Sequence, residues 1–153
     1  MKGVKENGLT FKKNDNWDLD LYVDADFAGL WKHEDEQDPV CVKSRTGYVI
    51  TLGDSPVSWV SKLKSEISLS TTEAEYIAMS QAMRDLIPIR TMLLELVTKL
   101  KLTKSLQVQI KSKIFEDNNG AIKTAEAPKL SPQTKHIAIK YHYLRHILDE
   151  NRG

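Results

Sequence analysis

A regular alternation of apolar and polar positions runs from residue 17 to residue 27. Every odd position from 17 to 27 is apolar, and every even position in between is Asp or Tyr. A period of two predicts a β-strand with two unlike faces. Two further strand-like stretches, "TGYVITLG" and "PVSWVSKL", are separated by the turn-like "GDSP". We therefore predict three consecutive strands with short connections, which form an antiparallel meander.

A helical pattern follows the meander. Ser70 and Glu73 have the spacing of a capping box. One face of the helix after them carries small and apolar residues, namely Ala74, Ile77, Ala78 and Ala82. Pro88 should end or kink this helix near Ile87, after which "IRTMLLELVTKL" resumes the helical pattern. The apolar stripe of that second part is interpreted as core packing and consists of Leu93, Leu94, Leu96, Val97 and Leu100.

The last third of the chain adds one strand and more helix. The stretch "LQVQIKSKIFED" predicts a fourth strand that ends in acidic residues, and "GAIKTAEA" predicts a short helix with Asn118 or Asn119 as its cap. The stretch "HIAIKYHYLRHILDEN" predicts a final amphipathic helix. This order predicts an α/β domain in which a helical crossover joins the meander to a further strand of a mixed sheet flanked by helices.

Composition limits the class of protein without choosing a function. The 153 residues suit one domain, and 41% hydrophobic with 28% charged residues is typical of soluble globular proteins. No apolar run is long enough to cross a membrane. A single cysteine, Cys41, cannot form an internal disulfide, so an intracellular reducing compartment is the simplest interpretation.

Charge is unevenly distributed along the chain. Residues 1–40 carry five Lys or Arg against ten Asp or Glu, a balance of −5, although the whole chain is only +1. Residues 76–115 carry seven basic against two acidic residues, a balance of +5. A basic face can therefore coexist with an acidic pocket. Such a charge distribution fits both an enzyme and a binding module.

Three acidic positions are candidates for a shared site. Asp24 and Asp117 end predicted strands, and Glu75 lies in the first turns of the predicted helix. Neighbouring strands with a helix across one face can bring such carboxylates together, and their repulsion is offset by Mg²⁺, which prefers oxygen ligands. Two such ions about 3.5–4 Å apart can activate a water and stabilise the leaving oxygen of a phosphodiester. The plainer alternatives are a turn-capping Asp24, a helix-dipole role for Glu75 and a turn role for Asp117.

Several stretches carry a resemblance to a known family. "YVDADFAG", "SRTGYVITLG", "VSWVSKLK", "LSTTEAEYIAMSQA", "FEDNNGAI" and "TKHIAIKYHYLR" resemble, in this order, the ribonuclease H domain of copia-type retrotransposon polyproteins, which accompanies a reverse transcriptase. The opening "KGVKENGLTF" resembles the segment that joins the two domains. The resemblance thus divides the chain into a connection segment, residues 1–16, and a ribonuclease H-like domain, residues 17–153.

The resemblance implies a function and a site. It implies Mg²⁺-dependent endonucleolytic cleavage of the RNA strand of RNA–DNA hybrids during reverse transcription, with two Mg²⁺ ions that Mn²⁺ can replace. Asp24, Glu75 and Asp117 become the catalytic metal ligands. Glu75 is preferred to Glu73 as the metal ligand because the residues around it resemble the ligand-bearing helix of related retroviral domains. Glu73 then serves the capping box. Asp26 would lie beside the site or in solvent. The implied partners are the hybrid and the reverse transcriptase domain, in a cytoplasmic particle.

The chain departs from the family pattern near its end. Relatives place a fourth carboxylate in a stretch resembling "ADIFTK", which has no equivalent here, and the chain stops at "DENRG". We therefore expect a truncated domain without the fifth strand, the final helix and one ligand. The rival hypothesis is an inactive remnant that binds nucleic acid or packs on the polymerase. An integrase is a weaker alternative, since its histidine–cysteine zinc module is absent from the sequence.

Basic and polar residues supply the predicted nucleic-acid contacts. Recognition of a hybrid rests on backbone shape and 2′-hydroxyl contacts rather than on base edges. His142 and His146 have a spacing found in zinc sites but lack a third ligand, so surface histidines are the better interpretation. The plainer alternative for the lysines is protection of a strand edge. The predicted contacts are Arg45, Ser61, Lys62, Lys64, Asn118, Lys135 and His136.

Overall fold

The computed structural model describes residues 8, 11, 16–27, 43–65, 67–101 and 110–126. Predictions for residues 127–153 lie outside this part of the chain, as do those for Cys41 and for most of segment 1–16. They include the final amphipathic helix and the side chains Lys135, His136, His142 and His146.

Four strands form one mixed sheet in the described part of the chain. Their order across the sheet is β3-β2-β1-β4. The first three pair in antiparallel fashion, and β4 pairs parallel to β1. The predicted antiparallel order of the three strands and the helical crossover are therefore confirmed, and the architecture is consistent with a ribonuclease H-like fold. The expectation of short connections holds between β2 and β3 but is wrong between β1 and β2, which residues 27–44 separate. The strands are β1 (Leu19–Asp26), β2 (Arg45–Leu52), β3 (Ser55–Leu63) and β4 (Ser112–Phe115).

The turn between β2 and β3 has two residues. Gly53 and Asp54 both have positive φ angles, 53° and 65°. Two left-handed residues match the twist of a tight β-hairpin, and Gly and Asp adopt this conformation more readily than most residues. The predicted turn "GDSP" is therefore shorter than expected, because Ser55 and Pro56 already belong to β3.

Helix α1 (Thr71–Lys99) begins with the predicted cap. The Ser70 hydroxyl accepts a hydrogen bond from the Glu73 backbone N–H at 3.1 Å. The Glu73 carboxylate accepts from the backbone N–H of Leu69 at 2.7 Å, one residue earlier than in a standard capping box. Glu73 is thus occupied at the helix start, as the sequence predicted.

Of the two outcomes expected at Pro88, an end of the helix is wrong, whereas a kink stays a prediction. Helix α1 is continuous from Thr71 to Lys99 with Pro88 inside it. Proline supplies no N–H to the carbonyl of Arg84, but both residues are exposed, so water can hydrate that carbonyl. Buried side chains on either side of Pro88, Leu86 and Leu93 among them, hold both halves of the helix against the protein.

The core lies between α1 and one face of the sheet. The odd positions of β1 are buried there, together with the predicted apolar face of α1, so both patterns are confirmed. The leucine stripe is confirmed only in part. Leu93 and Val97 are buried one turn apart, whereas Leu96 is 46% exposed. Leu94 is also exposed, because it lies on another side of the same helix, and Leu100 is exposed at the cap position after the last residue of the helix.

Two contacts tie further elements to α1. The Tyr48 hydroxyl of β2 donates a hydrogen bond to the Asp85 carboxylate near the middle of α1. Helix α2 (Asn119–Glu126) packs its start against the first turn of α1, where a Cβ on Gly120 would lie 2.8 Å from the Thr72 hydroxyl. Neither described helix contains an apolar stretch long enough to cross a bilayer.

The opposite face of the sheet carries an exposed apolar row. Strand register aligns one residue from each strand at the same level, and Tyr22 stacks on Phe115 with ring centres 4.7 Å apart. All members are exposed, Trp59 by 60%. The exposed row consists of Trp59, Val49, Tyr22 and Phe115.

Candidate metal centre

The parallel pairing of β1 and β4 brings two aspartates to one edge of the sheet. The register runs from Leu19 opposite Ser112 to Tyr22 opposite Phe115. Continuing it by two residues places Asp117 beside Asp24. Because parallel strands run in the same direction, their carboxyl ends meet at the same edge. Both aspartates are exposed there.

The third acid comes from the start of α1. Glu75 is only 4% exposed, and its carboxylate accepts a hydrogen bond from the Ala25 backbone N–H, next to Asp24. This bond fixes the first turns of α1 at the carboxyl end of β1. Asp24, Glu75 and Asp117 each offer an oxygen within 4.8 Å of the others. The three residues therefore form an acidic cluster that can hold a metal ion.

The electrostatics of Glu75 are dominated by burial and by neighbouring carboxylates. Burial raises the pKa of Glu75 to about 7, and the neighbouring carboxylates of Glu116, Asp24 and Asp117 act in the same direction. The Ala25 hydrogen bond opposes this rise. Oε2 of Glu75 is buried and accepts no hydrogen bond within the described residues. A donor set of carboxylate oxygens around such an atom fits a hard divalent cation such as Mg²⁺ or Mn²⁺.

Sequence reasoning missed Glu116. Burial raises the pKa of this carboxyl, whereas hydrogen bonds from the backbone N–H groups of Asn118 and Asp117 lower it. The signal was present in the alternation of "KIFED". Phe115 faces outward, so its neighbour Glu116 turns toward α1.

Lys64 occupies a different environment from the one predicted. The sequence suggested a phosphate contact on an exposed strand end, yet Lys64 is only 6% exposed. Its ammonium group donates to the backbone carbonyl of Ala74. Burial lowers the pKa of Lys64 to about 8, against the raising effect of nearby Glu75 and Glu73. This lysine faces the protein interior beside the acidic cluster.

The other predicted contacts on β2 and β3 divide between the two sheet faces. Ser61 aligns with Gly47, which aligns with Asp24, so Ser61 shares a face with that aspartate. Arg45 lies on the same face and donates to the Ser61 hydroxyl at 3.5 Å. Lys62 is exposed but aligns with the buried Thr46 on the other face.

Asn118 is the cap of α2. Its side-chain oxygen accepts hydrogen bonds from the backbone N–H groups of Gly120 at 2.9 Å and Ala121 at 3.0 Å. Of the two caps that the sequence allowed, Asn118 is therefore the one used. The side-chain oxygen of Asn118 is thus used by the helix cap. The predicted nucleic-acid contact would be made by its amide NH₂ group.

Comparison with known proteins finds transposon polyproteins that are similar to the chain. It is 34% identical over 145 residues, 95% of the chain, to the retrovirus-related Pol polyprotein from transposon RE2 of Arabidopsis thaliana. The polyprotein from transposon RE1 of the same plant matches equally, at 34% over 145 residues. That from transposon TNT 1-94 of Nicotiana tabacum is 34% identical over 150 residues, 98% of the chain. The chain spans only 9% to 10% of the length of these relatives. No protein-family model matches the chain.

Proposed function

We propose that this homologue of a retrotransposon Pol polyprotein segment cleaves the RNA strand of RNA–DNA hybrids endonucleolytically, with divalent metal ions, during reverse transcription. One observation carries the proposal. Three carboxylates from β1, α1 and the end of β4 converge within 4.8 Å, and the buried member has an oxygen with no partner among the described residues. The fold and the transposon relatives agree with this assignment.

Asp24, Glu75 and Asp117 would hold the metal ions. Divalent ions held there would supply a nucleophilic water at neutral pH and would stabilise the leaving oxygen of a phosphodiester. The exposed aspartates lie on the side open to substrate, whereas Glu75 lies beneath them. The Ala25 N–H holds the Glu75 carboxylate in place, so this ligand does not have to reorganise when substrate binds.

The hybrid would lie across the carboxyl end of β1 and the neighbouring strand ends. Arg45 and Ser61 share the sheet face of Asp24 and are joined by a hydrogen bond. A guanidinium and a hydroxyl so placed suit a backbone phosphate and a 2′-hydroxyl, the groups by which proteins recognise hybrid and RNA helices. We assign these two residues to contacts with the substrate backbone. We also propose the reverse transcriptase domain of the same polyprotein as a partner.

The test is cleavage of an end-labelled RNA–DNA hybrid in Mg²⁺ and in Mn²⁺. Double-stranded RNA and double-stranded DNA of the same sequence serve as substrate controls. We expect internal cuts in the RNA strand of the hybrid alone. Asp117→Asn and Glu75→Gln should each lower the rate by at least ~100-fold, more than is typical for loss of a residue that only supports a ligand.

Glu95→Gln is the matched control variant. Glu95 is an exposed acid of α1 that pairs with Lys99 at 3.3 Å, near the other end of that helix from the cluster. Its loss should leave cleavage unchanged. Cleavage that persists in both ligand variants, or that needs no divalent metal, would overturn the proposal.

A second candidate function is packing against another segment of the polyprotein without catalysis. The exposed row, with Trp59 at 60% exposure, favours it. Under this alternative, folded protein binds the hybrid or the polymerase but cuts in neither metal. The cleavage assay therefore separates the two functions.

A further inference from the structure

Gly47 lies in β2 between two residues of the candidate site. In the strand register it stands opposite Asp24 of β1 on one side and opposite Ser61 of β3 on the other. Val23 and Ala25, the neighbours of Asp24, point into the core. Because successive residues of a strand point to opposite faces, Gly47 and its two partners lie on the sheet face turned away from α1. This level of the sheet therefore presents a hydroxyl, a position without a side chain and a carboxylate, in that order.

Neither the backbone nor the packing of the described residues requires glycine at position 47. Gly47 is not one of the described residues with a positive φ angle, so other residues can adopt its conformation. A Cβ added there would meet one described atom within 4 Å, the Asp24 carbonyl oxygen at 3.6 Å, which is an ordinary van der Waals contact. Glycine nevertheless weakens the interior of a strand, because it loses more backbone freedom on folding and packs no side chain.

A side chain at position 47 would fill the gap between Ser61 and Asp24. Directly opposite residues of antiparallel strands have their Cβ atoms about 4.5–5.5 Å apart. A side chain larger than a methyl group would therefore take up the space between the Ser61 hydroxyl and the Asp24 carboxylate. Glycine inside a strand often marks a place where a ligand approaches the backbone closely. A substrate that contacts Ser61 and is cut at Asp24 has to pass over Gly47.

We propose that Gly47 is a substrate-binding position: the sugar–phosphate backbone of the RNA strand crosses β2 over this residue, from Ser61 to Asp24. The proposal rests on the proposed function and deepens it. Arg45 lies two residues before Gly47 and donates to the Ser61 hydroxyl. Both donors thus meet on the β3 side of the gap, whereas Asp24 lies on its β1 side. The missing side chain lets the strand lie close to the sheet, and this close approach brings the phosphate to be cut within reach of the metal ligands.

The experiment measures hybrid binding, metal binding and stability separately, in the full chain. Gly47→Ala and Gly47→Val add a small and a larger side chain. Val49→Ile is the matched control, because it adds one carbon to the next residue of β2 on the same face. Hybrid binding is measured by fluorescence anisotropy in the presence of a metal chelator, where no metal-dependent cut occurs. Mn²⁺ binding is measured by isothermal titration calorimetry, and the unfolding temperature is measured without metal.

The added side chains should weaken hybrid binding and nothing else. We expect a loss of at least ~10-fold in Gly47→Val, the lower end of what one misfitting group costs a closely fitting site, and a smaller loss in Gly47→Ala. Mn²⁺ affinity should stay the same, because the added groups carry no charge. The unfolding temperature should stay the same or rise, since glycine is the less favourable residue inside a strand. Val49→Ile should leave all three quantities unchanged.

Three results would overturn the proposal. The first is a hybrid affinity of Gly47→Val equal to that of the unchanged chain. The second is an equal loss of hybrid affinity in Val49→Ile, which would assign the effect to the whole sheet face. The third is a lower unfolding temperature in both Gly47 variants, which would show that the fold itself needs glycine. If Gly47→Val alone fails to fold, Gly47→Ser replaces it, and unchanged hybrid affinity in that variant has the same meaning.

The outcomes also separate this proposal from the proposed function. Weaker hybrid binding in Gly47→Val, together with failure of the unchanged chain to cut in Mg²⁺ or Mn²⁺, supports the path over Gly47 and overturns the nuclease. Cleavage by the unchanged chain, together with full hybrid affinity in Gly47→Val, supports the nuclease and removes Gly47 from the substrate path. Failure of the unchanged chain to bind the hybrid overturns both.

Discussion

The ammonium group of Lys64 donates a hydrogen bond to the backbone carbonyl of Ala74, the residue immediately before Glu75. The backbone N–H of the same lysine donates to the Ser44 carbonyl at 2.8 Å. Lys64 therefore links the residue before β2, the end of β3 and the first turns of α1. This arrangement places a buried cation behind the acidic cluster and keeps the ligand-bearing turn in position.

Lys64→Met should stabilise the protein at pH 7 and remove part of its pH dependence. The pKa of Lys64 is lowered from 10.5 to about 8 in the folded state. Between these values the unfolded chain binds more protons, so this lysine makes stability rise with pH. We expect Lys64→Met to be more stable at pH 7 by about 1 kcal/mol, the order of one pKa unit. The advantage should shrink toward pH 9.5, as measured by urea unfolding at each pH.

The control for that series is Lys62→Met, which changes an exposed lysine of β3 two residues before Lys64. It should leave the pH dependence unaltered. A stability difference between Lys64→Met and the unchanged chain that stays constant from pH 7 to 9.5 would contradict the expected burial effect.

Glu75 should make the metal-free protein less stable as pH rises. Its pKa is raised from 4.5 to about 7 on folding, so the folded state binds more protons between these values. Stability from this group is therefore fully present below about pH 4.5 and is lost as pH rises to about 7. In the presence of a metal chelator, the free energy of unfolding should fall by roughly 1–3 kcal/mol as pH rises across this window. Glu75→Gln should remove this contribution, and a fall of equal size in that variant would refute it.

Gly120→Ala should loosen the contact between α2 and α1. An added Cβ would lie 2.8 Å from Oγ1 and 3.2 Å from Cγ2 of Thr72. Overpacking of this kind costs about 1–3 kcal/mol, measurable as a lower urea midpoint. Thr72→Ala removes both of these atoms, so the double variant should recover the part of the loss that Thr72 causes, while the approach to Asn118 Oδ1 at 3.0 Å stays. Gly47→Ala is the matched control, because its Cβ meets only the Asp24 carbonyl oxygen, at 3.6 Å.

Tyr48→Phe should destabilise the protein by about 1.5–3 kcal/mol, as expected for a hydrogen bond to a charged group. The lost bond is the one from its hydroxyl to Asp85, which joins β2 to α1. Asp85→Asn should cost less, since the exposed amide can still accept from the tyrosine. Thermal unfolding of both variants and their combination gives the coupling between them. A coupling near zero would show that the bond contributes nothing to stability.

The sequence identified the elements where one physical signal was strong and local. The alternation around Leu21 and Val23 predicted β1 and its buried face correctly, because period two has no helical interpretation over so many residues. The spacing of Ser70 and Glu73 predicted the start of α1. The three acids became candidates for a shared site from their places at predicted strand ends and the helix start, and the resemblance made them metal ligands. The parallel register of β1 and β4 supplies the reason that the two aspartates meet.

Sequence reasoning failed where tertiary surroundings decide the outcome. Pro88 is tolerated because both adjoining helical segments are anchored in the core, which no local pattern reveals. The same holds for Lys64, whose long side chain turns inward to a carbonyl from another element. Glu116 was passed over because it stands beside Asp117 in the sequence, although the alternation of β4 places it on the inner face.

The position of β4 in the sheet also determines when the acidic cluster can form. Residues 27–44 separate β1 from β2 and residues 53–54 separate β2 from β3, whereas β4 reaches β1 only after the whole of α1 has been made. Contacts between distant parts of a chain close late, because the intervening loop loses entropy before the contact stabilises it. Asp117 therefore arrives with the last of these strands. A folding intermediate that holds only the meander and α1 has Asp24 and Glu75 but no complete metal centre, so recovery of high-affinity Mn²⁺ binding during refolding reports the docking of β4.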